Sequence, residues 1–248
     1  MKLEICNVGR IYTWDWALRG ISTAIQGGES VCVLGANGSG KTTLLKLLAG
    51  VIRPTEGQVL FDERRVRASS VGPKRELMFL HPYPPRFGGN PLKHLANVIA
   101  LFGYDKPGIE KEAAHWIRKF EIDSLALRSD RYNSSRGELM KFWFTSLFSI
   151  RPKLWLLDEP HQCGLDAHGL EIVEDEIKQH QQSGGMVVFT SQWPPHAKRL
   201  ASRVLLLHEG KLLHDASTDS VAADLSDLQP SVRAIVRSLE SDQTEPGA

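Results

Sequence analysis

The stretch Ser30–Gly50, SVCVLGANGSGKTTLLKLLAG, constrains this chain more than any other. An apolar run of strand length, SVCVLG, passes through a glycine-rich turn into a helical run, TLLKLLAG. The turn Gly35-Ala36-Asn37-Gly38-Ser39-Gly40-Lys41-Thr42 fits the pattern G-x-x-x-x-G-K-[ST] in the strand–loop–helix context that pattern requires. Glycines there let main-chain N–H groups close around phosphate oxygens, and the helix N-terminus adds partial positive charge. Lys41 would then reach the outer phosphates, and Thr42 would offer its hydroxyl to Mg²⁺. The plain alternative is a glycine-rich turn with an exposed lysine; the flanking strand and helix argue against it.

A second segment completes a pattern with the first. Leu154-Trp155-Leu156-Leu157-Asp158-Glu159-Pro160 is a fully apolar strand ending in two acids. Acids at a strand end are often only solvated. Beside a phosphate-binding loop, the sharper reading is that Asp158 holds Mg²⁺ and Glu159 polarises an attacking water. LWLLDEP, GLEIVEDEIKQHQQ and MVVFTSQ alternate as strand, helix and strand, which predicts a parallel α/β sheet with both acids at its carboxyl edge. The acidic face of EIVEDEIKQ reads as solvated helix surface, and neither it nor the other histidines show ligand spacing.

The rest of the chain fits around this core. Short β-like runs LEICNV, GISTAI and GQVLFD lie near the N-terminus, and amphipathic helical patterning fills Pro91 to Ile150. RVLLLHEG and KLLHDA read as a closing hairpin turning at Gly210, SVRAIVRSLE as a last helix, and DQTEPGA as a tail. The 42% hydrophobic and 24% charged content over 248 residues suits one globular domain with an insertion, and a net charge of +1 gives no reason to invoke nucleic acid or anionic lipid. Three scattered cysteines make neither a disulfide framework nor a cysteine metal site. No signal-like segment opens the chain, and no apolar run approaches the ~20 residues of a membrane span. The best stretch, Phe142–Ile150, is broken by Thr145, Ser146 and Ser149.

Taken together, the phosphate loop, LWLLDEP with its trailing Gly164-Leu165-Asp166, and the helical insertion between them resemble the nucleotide-binding subunit of ATP-binding-cassette (ABC) transporters. The resemblance runs from Leu3 to about Ser217. It implies an α/β P-loop NTPase core with a mainly parallel sheet, an N-terminal antiparallel β portion and a helical subdomain insertion. The whole chain, 1–248, would be one such domain: 1–90 and 151–220 as core, 91–150 as helical subdomain, 221–248 as C-terminal helix and tail. It also implies roles for individual residues. Gly35, Asn37, Gly38, Ser39, Gly40, Lys41, Thr42 and Thr43 would hold ATP, with Thr42 and Asp158 on Mg²⁺. Tyr12 lies at the adenine-stacking position, with Trp14 and Trp16 as rivals. Ser135 and Gly137 fall on the family's signature segment, which faces the γ-phosphate bound by the other subunit. Lys41, Glu159 and Gln192 would carry catalysis.

Several positions depart from the family pattern. Arg136 replaces a signature glycine. Pro82 stands where a Gln normally touches Mg²⁺ and water, so that His81 or Tyr83 substitutes or the contact is lost. HQCGLD carries an extra residue before Gly164, and Gln192 occupies the place of a switch histidine. Gln can donate to a γ-phosphate but cannot titrate; the bland reading is a polar strand end.

The resemblance therefore implies a cytoplasmic, peripheral ATPase subunit. It would pair with an identical or different cassette around two ATP molecules and power a separate transmembrane permease. The segment from His81 through the insertion would dock that partner, with Arg86, Phe87 and His94 as contact candidates. Two alternatives are an ATP-binding regulatory cassette with little hydrolysis, favoured by Pro82, Arg136 and Gln192 and opposed by intact Asp158 and Glu159, and a non-transport ABC ATPase. The latter is disfavoured by the lack of a coiled coil, second cassette or basic patch.

Overall fold

The structure, a computed structural model, describes residues 1–83, 91–103, 109–123 and 135–218. Arg86, Phe87 and the expected C-terminal helix lie outside them. Strands β1 (Lys2–Tyr12) and β2 (Asp15–Gln26) form a long hairpin, and β3 (Ser30–Leu34) leads into helix α1 (Lys41–Leu48). Strands β4 (Glu56–Phe61) and β5 (Arg64–Arg65), a short helix α2 (Val71–Lys74) and β6 (Leu77–Leu80) follow. The insertion supplies α3 (Pro91–Leu101), α4 (Ile109–Lys119) and α5 (Arg136–Ile150). The chain returns through β7 (Leu154–Leu157), a 3₁₀ turn at Pro160–Gln162, α6 (Ala167–Gln182) and β8 (Met186–Ser191). It continues through α7 (Pro194–Leu200) and a final hairpin of β9 (Arg203–His208) and β10 (Lys211–Ser217).

Two sheets result. The order β2-β1-β4-β5 is antiparallel throughout, and β10-β9-β3-β8-β7-β6 is parallel except for the edge strand β10. This is the expected α/β core with its antiparallel portion. Every residue of β3, β7 and β8 is buried, as a parallel strand covered on both faces requires.

Because side chains alternate along a strand, the same strands feed two separate apolar clusters. Val31, Val33, Leu154, Leu156 and Val188 face Leu44, Leu45 and Leu48 of α1 and the antiparallel sheet. Cys32, Leu34, Trp155, Leu157 and Phe189 face the other side, with Ile172 and Ile177 of α6 and the insertion helices. The insertion is joined to that side by aromatics. Phe148 of α5 stacks near Trp155 (ring centroids 5.4 Å apart), Trp116 (4.9 Å), Phe144 (5.6 Å) and Phe120 (6.0 Å).

One sequence expectation needs correction. The acidic face of α6 is not all solvated: Glu176 is 3% exposed and accepts from Arg151 Nη2 at 2.7 Å, with Lys119 Nζ at 4.0 Å. The reason is periodicity, since Ile172, Val173, Glu176, Ile177 and His180 form the helix's single buried stripe. Beyond β8, Pro194 and Pro195 open the next helix. They occupy the first turn of α7, where a missing N–H costs nothing. Among the described residues no helix is long and apolar enough to cross a membrane.

Phe148 is the joint between insertion and core, so Phe148→Ala should cost about 3–5 kcal/mol of stability. Denaturant unfolding should show the midpoint falling, with the insertion's aromatic signals lost together with those of the sheet.

Candidate active site

The glycine-rich turn leaves β3 at Gly35. A Cβ there would lie 2.3 Å from the Leu207 carbonyl oxygen and 2.6 Å from Ser39 Oγ, so no other residue fits. Gly40 has φ +105° and abuts Ala17 of the first hairpin, where a Cβ would meet its carbonyl oxygen at 2.6 Å. Gly38 (φ +79°) instead faces open space at the crown, beside exposed Asn37. The Ser39 hydroxyl is buried without a hydrogen-bond partner among the described residues, a donor left over in the cradle. Thr43 follows Thr42 on the first turn of α1 and is half-buried.

Lys41, 5% exposed, donates to the Gly35 and Ala36 carbonyls at 2.8 and 3.0 Å and lies 3.7 Å from Glu159 Oε1. Burial lowers its pKa, while Glu159 and Asp158 act in the opposite direction. Thr42 Oγ1 donates to Asp158 at 2.9 and 3.1 Å, so hydroxyl and carboxylate form one hard-oxygen pair. That donor set fits Mg²⁺, which takes one or two protein oxygens and fills the remainder with phosphate and water. Among the described residues no group of three or more His, Cys, Asp or Glu could hold another metal.

Beyond β7 the two acids are held differently. Thr190 Oγ1 donates to Asp158 Oδ1 at 2.8 Å and accepts from the Glu159 N–H at 2.8 Å. Glu159 adopts a left-handed backbone (φ 47°, ψ 57°), uncommon for a residue with a side chain, as it opens the 3₁₀ turn. Gln192 Nε2 donates to Glu159 Oε1 at 3.0 Å. The amide thus reaches the acid, a contact the sequence reading did not contain. Of the two candidates beside Pro82, His81 is the one directed at Asp158, with Nε2 3.9 Å from Oδ2. Tyr83 is exposed, and its ring lies under the Arg136 guanidinium at 4.2 Å.

Lys41, Thr42, Asp158, Glu159 and Gln192 therefore converge within one chain, whereas Ser135 and Gly137 stand on the insertion. Ser135 is the exposed N-cap of α5 in the expected capping box, accepting from Glu138 N at 3.1 Å while Glu138 Oε2 accepts from Ser135 N at 2.7 Å. In the first hairpin, Tyr12 (42% exposed) and Trp14 (89%) present exposed rings, and the Arg10 guanidinium lies over the Tyr12 ring at 4.7 Å. Trp16 is committed to packing over Gly9, where a Cβ would meet its ring at 2.7 Å. His94 is half-buried with its ring against Trp143, at 5.5 Å.

Sequence reasoning missed Thr190. Its only signal was a hydroxyl two positions before Gln192 in a strand otherwise apolar up to that point. It also missed a histidine stack behind the catalytic loop. His161, in the turn after Glu159, lies over His196 of α7 with ring centroids 3.5 Å apart. Glu174 Oε1 is 3.2 Å from His161 Nε2 and is paired with Arg199. Burial pushes His161 down to about 3 and His196 to about 4, with His196 and Arg199 adding to the first and Arg199 to the second.

A phosphate loop beside an acid-ended parallel strand, with an antiparallel sheet on one side and a helical insertion on the other, defines a nucleotide-binding cassette of the P-loop class. Residues 18–162 match the family described as ABC transporter, and the chain belongs to that family. The energy-coupling factor transporter ATP-binding protein EcfA2 of Lactobacillus gasseri is 27% identical over 236 residues, covering 90% of this chain and 82% of the relative. A putative ABC transporter ATP-binding protein of Pyrococcus horikoshii is 29% identical, covering 83% and 81%. Among solved structures, an ATP-binding subunit of an ABC transporter superposes with a TM-score of 0.86 at 20% identity, covering 97% of this chain and all of that one (100%). A dimeric post-hydrolysis form of the cassette MJ0796, bound to ADP and Pi, gives 0.73 at 21% identity over 87% and 98%. At these identities the solved structures show the fold.

Two outcomes follow from the site's geometry. Thr190→Val keeps the shape but removes the hydroxyl that holds both acids, and should lower turnover about 10–100-fold, as loss of an outer-shell partner does. Steady-state phosphate release at saturating nucleotide measures it. The second concerns pH. The folded state keeps His161 and His196 neutral, while the unfolded chain protonates them below about 6.5, so the unfolded state binds more protons as pH falls. Stability is fully present above that value and is lost between about pH 6.5 and 3. Thermal melts across this range should show the decline, with a shallower slope for His161→Gln/His196→Gln.

Proposed function

We propose that this chain is the ATP-binding and ATP-hydrolysing subunit of an ABC transporter and works through a separate transmembrane subunit. The observation that carries the reading is the convergence of Lys41, the Thr42–Asp158 pair and the Glu159–Gln192 pair at the carboxyl edge of one parallel sheet. The names of the relatives, ATP-binding proteins of transporters, agree with it. The chain would form one domain over 1–248, pair with a second cassette, identical or different, and sit peripherally on the cytoplasmic face of the membrane through its permease.

In this reading Gly35, Asn37, Gly38, Ser39, Gly40 and Thr43 shape the cradle, and Tyr12 stacks on adenine. Lys41 turns from the Gly35 and Ala36 carbonyls to the outer phosphates. Thr42 and Asp158 would hold Mg²⁺, which would neutralise phosphate charge when bound. Glu159 accepts a hydrogen bond from the attacking water and orients it toward phosphorus. Gln192 holds Glu159 Oε1 by its amide, leaving the second carboxylate oxygen for water. Ser135 and Gly137 present the first turn of α5 to nucleotide held by the second cassette.

Phosphate release by the subunit assembled with its membrane partner tests the reading. Hydrolysis should fall to background in Glu159→Gln while ATP is still bound, and equal rates for the two proteins would sink the enzyme assignment. Gln192→Ala should lower the rate. Gln192→His should match or exceed the unmodified rate above neutral pH and fall more steeply below about pH 6.5, because imidazole titrates there and an amide does not.

A further inference from the structure

Arg136 stands where three segments around the catalytic acids meet. Its Nε donates to the Pro82 carbonyl at 2.9 Å, its Nη2 donates to the Gln162 carbonyl at 2.7 Å, and its plane lies 4.2 Å from the centre of the Tyr83 ring. Both bonds leave from one rigid fork, so the two carbonyls are held at a fixed separation. The neighbouring residues continue the contact. Gly137 packs so closely on Gly164 that a Cβ would lie 2.3 Å from the Gly164 oxygen. One turn further along α5, Lys141 Nζ donates to Asp166 Oδ2 at 2.6 Å, and Asp166 in turn caps α6 through Gly169 N at 2.7 Å. The first turns of α5 are thus joined to residues 162–169, and Arg136 extends that seam to the exit of β6.

Each end of the fork lies next to a residue of the site. Gln162 closes the 3₁₀ turn opened by Glu159, with its N–H on the Glu159 carbonyl at 2.9 Å. Pro82 follows His81, whose ring faces Asp158. A left-handed Glu159 persists only if its surroundings over-determine it. From within the chain, Thr190 fixes its N–H, Gln192 its carboxylate, and Arg136 the far end of its turn.

We infer that Arg136 is a positioning residue, tying the start of the insertion, the Pro82–Tyr83 segment and the Glu159 turn into one unit that holds Glu159 and His81 in register with Asp158. The inference rests on the proposed hydrolytic role for its kinetic consequence, but not for its structural one.

The test combines amide hydrogen exchange with kinetics on the full chain assembled with its membrane partner, for Arg136→Gly, Arg136→Lys and Tyr83→Leu. Arg136→Gly should speed exchange at residues 81, 83 and 162–164. It should leave KM for ATP within about twofold, since the phosphate loop is untouched, and lower kcat on the order of 10-fold, as outer-shell losses do. Lysine keeps the charge but not the planar fork, so Arg136→Lys should restore little of either. Tyr83→Leu, which removes only the stacked ring, should give a smaller change of the same kind. Unchanged exchange in Arg136→Gly overturns the inference whatever the rates. A kcat loss without an exchange change would mean that the guanidinium acts directly on nucleotide. Faster exchange with unchanged kcat would overturn the positioning role. If the unmodified protein does not hydrolyse ATP, the hydrolytic reading has failed, and the exchange data alone still decide whether Arg136 ties the three segments.

Discussion

The site depends on the register of four parallel strands. Leu80 pairs with Leu157, Leu157 with Phe189, and Leu34 with Ser191. One residue beyond those pairs, His81, Asp158 and Thr190 come into a single row, and one residue further lie Glu159, Ser191 and the emerging phosphate loop. The ladder supports the step, since Asp158 N donates to the Leu80 carbonyl at 2.9 Å and Gly35 N to that of Ser191 at 3.3 Å. A slip of one residue would turn every side chain of a strand to the opposite face and mix the two apolar clusters. The fully buried faces of β3, β7 and β8 forbid that slip, so apolar packing is what aligns the polar residues.

That dependence explains what could be read from the sequence. The phosphate loop and the Asp158-Glu159 pair are contiguous, and each announces itself through local context: a strand before, a glycine or proline after. The helical insertion and the closing hairpin were legible for the same reason, through periodicity and a turn at Gly210. Thr190 was not, because its meaning arises only when β8 is laid beside β7, and a hydroxyl near the end of an apolar strand carries no mark of its partner 32 residues away. Gln192 was placed near the chemistry but aimed at phosphate, while its amide meets Glu159. Glu176 shows the reverse failure. Its position between Val173 and Ile177 on a 3.6-residue stripe was visible, but its neighbours on the sequence, Asp175 and Glu174, made the face look solvated.

Electrostatics around Lys41 follow from the same alignment. An ammonium with 5% exposure is tolerable because two loop carbonyls accept from it and two carboxylates lie beyond. These partners are main-chain oxygens at about the separation a phosphate oxygen would adopt. Glu159 stands at 3.7 Å as an ion-pair partner, while the two loop carbonyls take the shorter contacts and aim the lysine along the loop.

Pro82 and Arg136 look in the sequence like two independent losses, one of a side chain that could touch metal and one of a glycine that allows close approach. In the fold they are a single arrangement. Proline has no side-chain polar group, but its carbonyl is intact, and that carbonyl is what Arg136 Nε holds. Glycine at 136 could not span to Pro82 or Gln162, and the close main-chain approach within this chain is that of Gly137 to Gly164. The extra residue before Gly164 belongs to the same set. At the 3₁₀ turn there, Cys163 is buried with its Sγ on the Pro160 carbonyl at 2.8 Å, and the Gln162 carbonyl accepts from the guanidinium. A residue lost as a direct contact at 82 and a residue gained at 136 thus meet through the main chain, and the Glu159 turn takes its support from within its own chain.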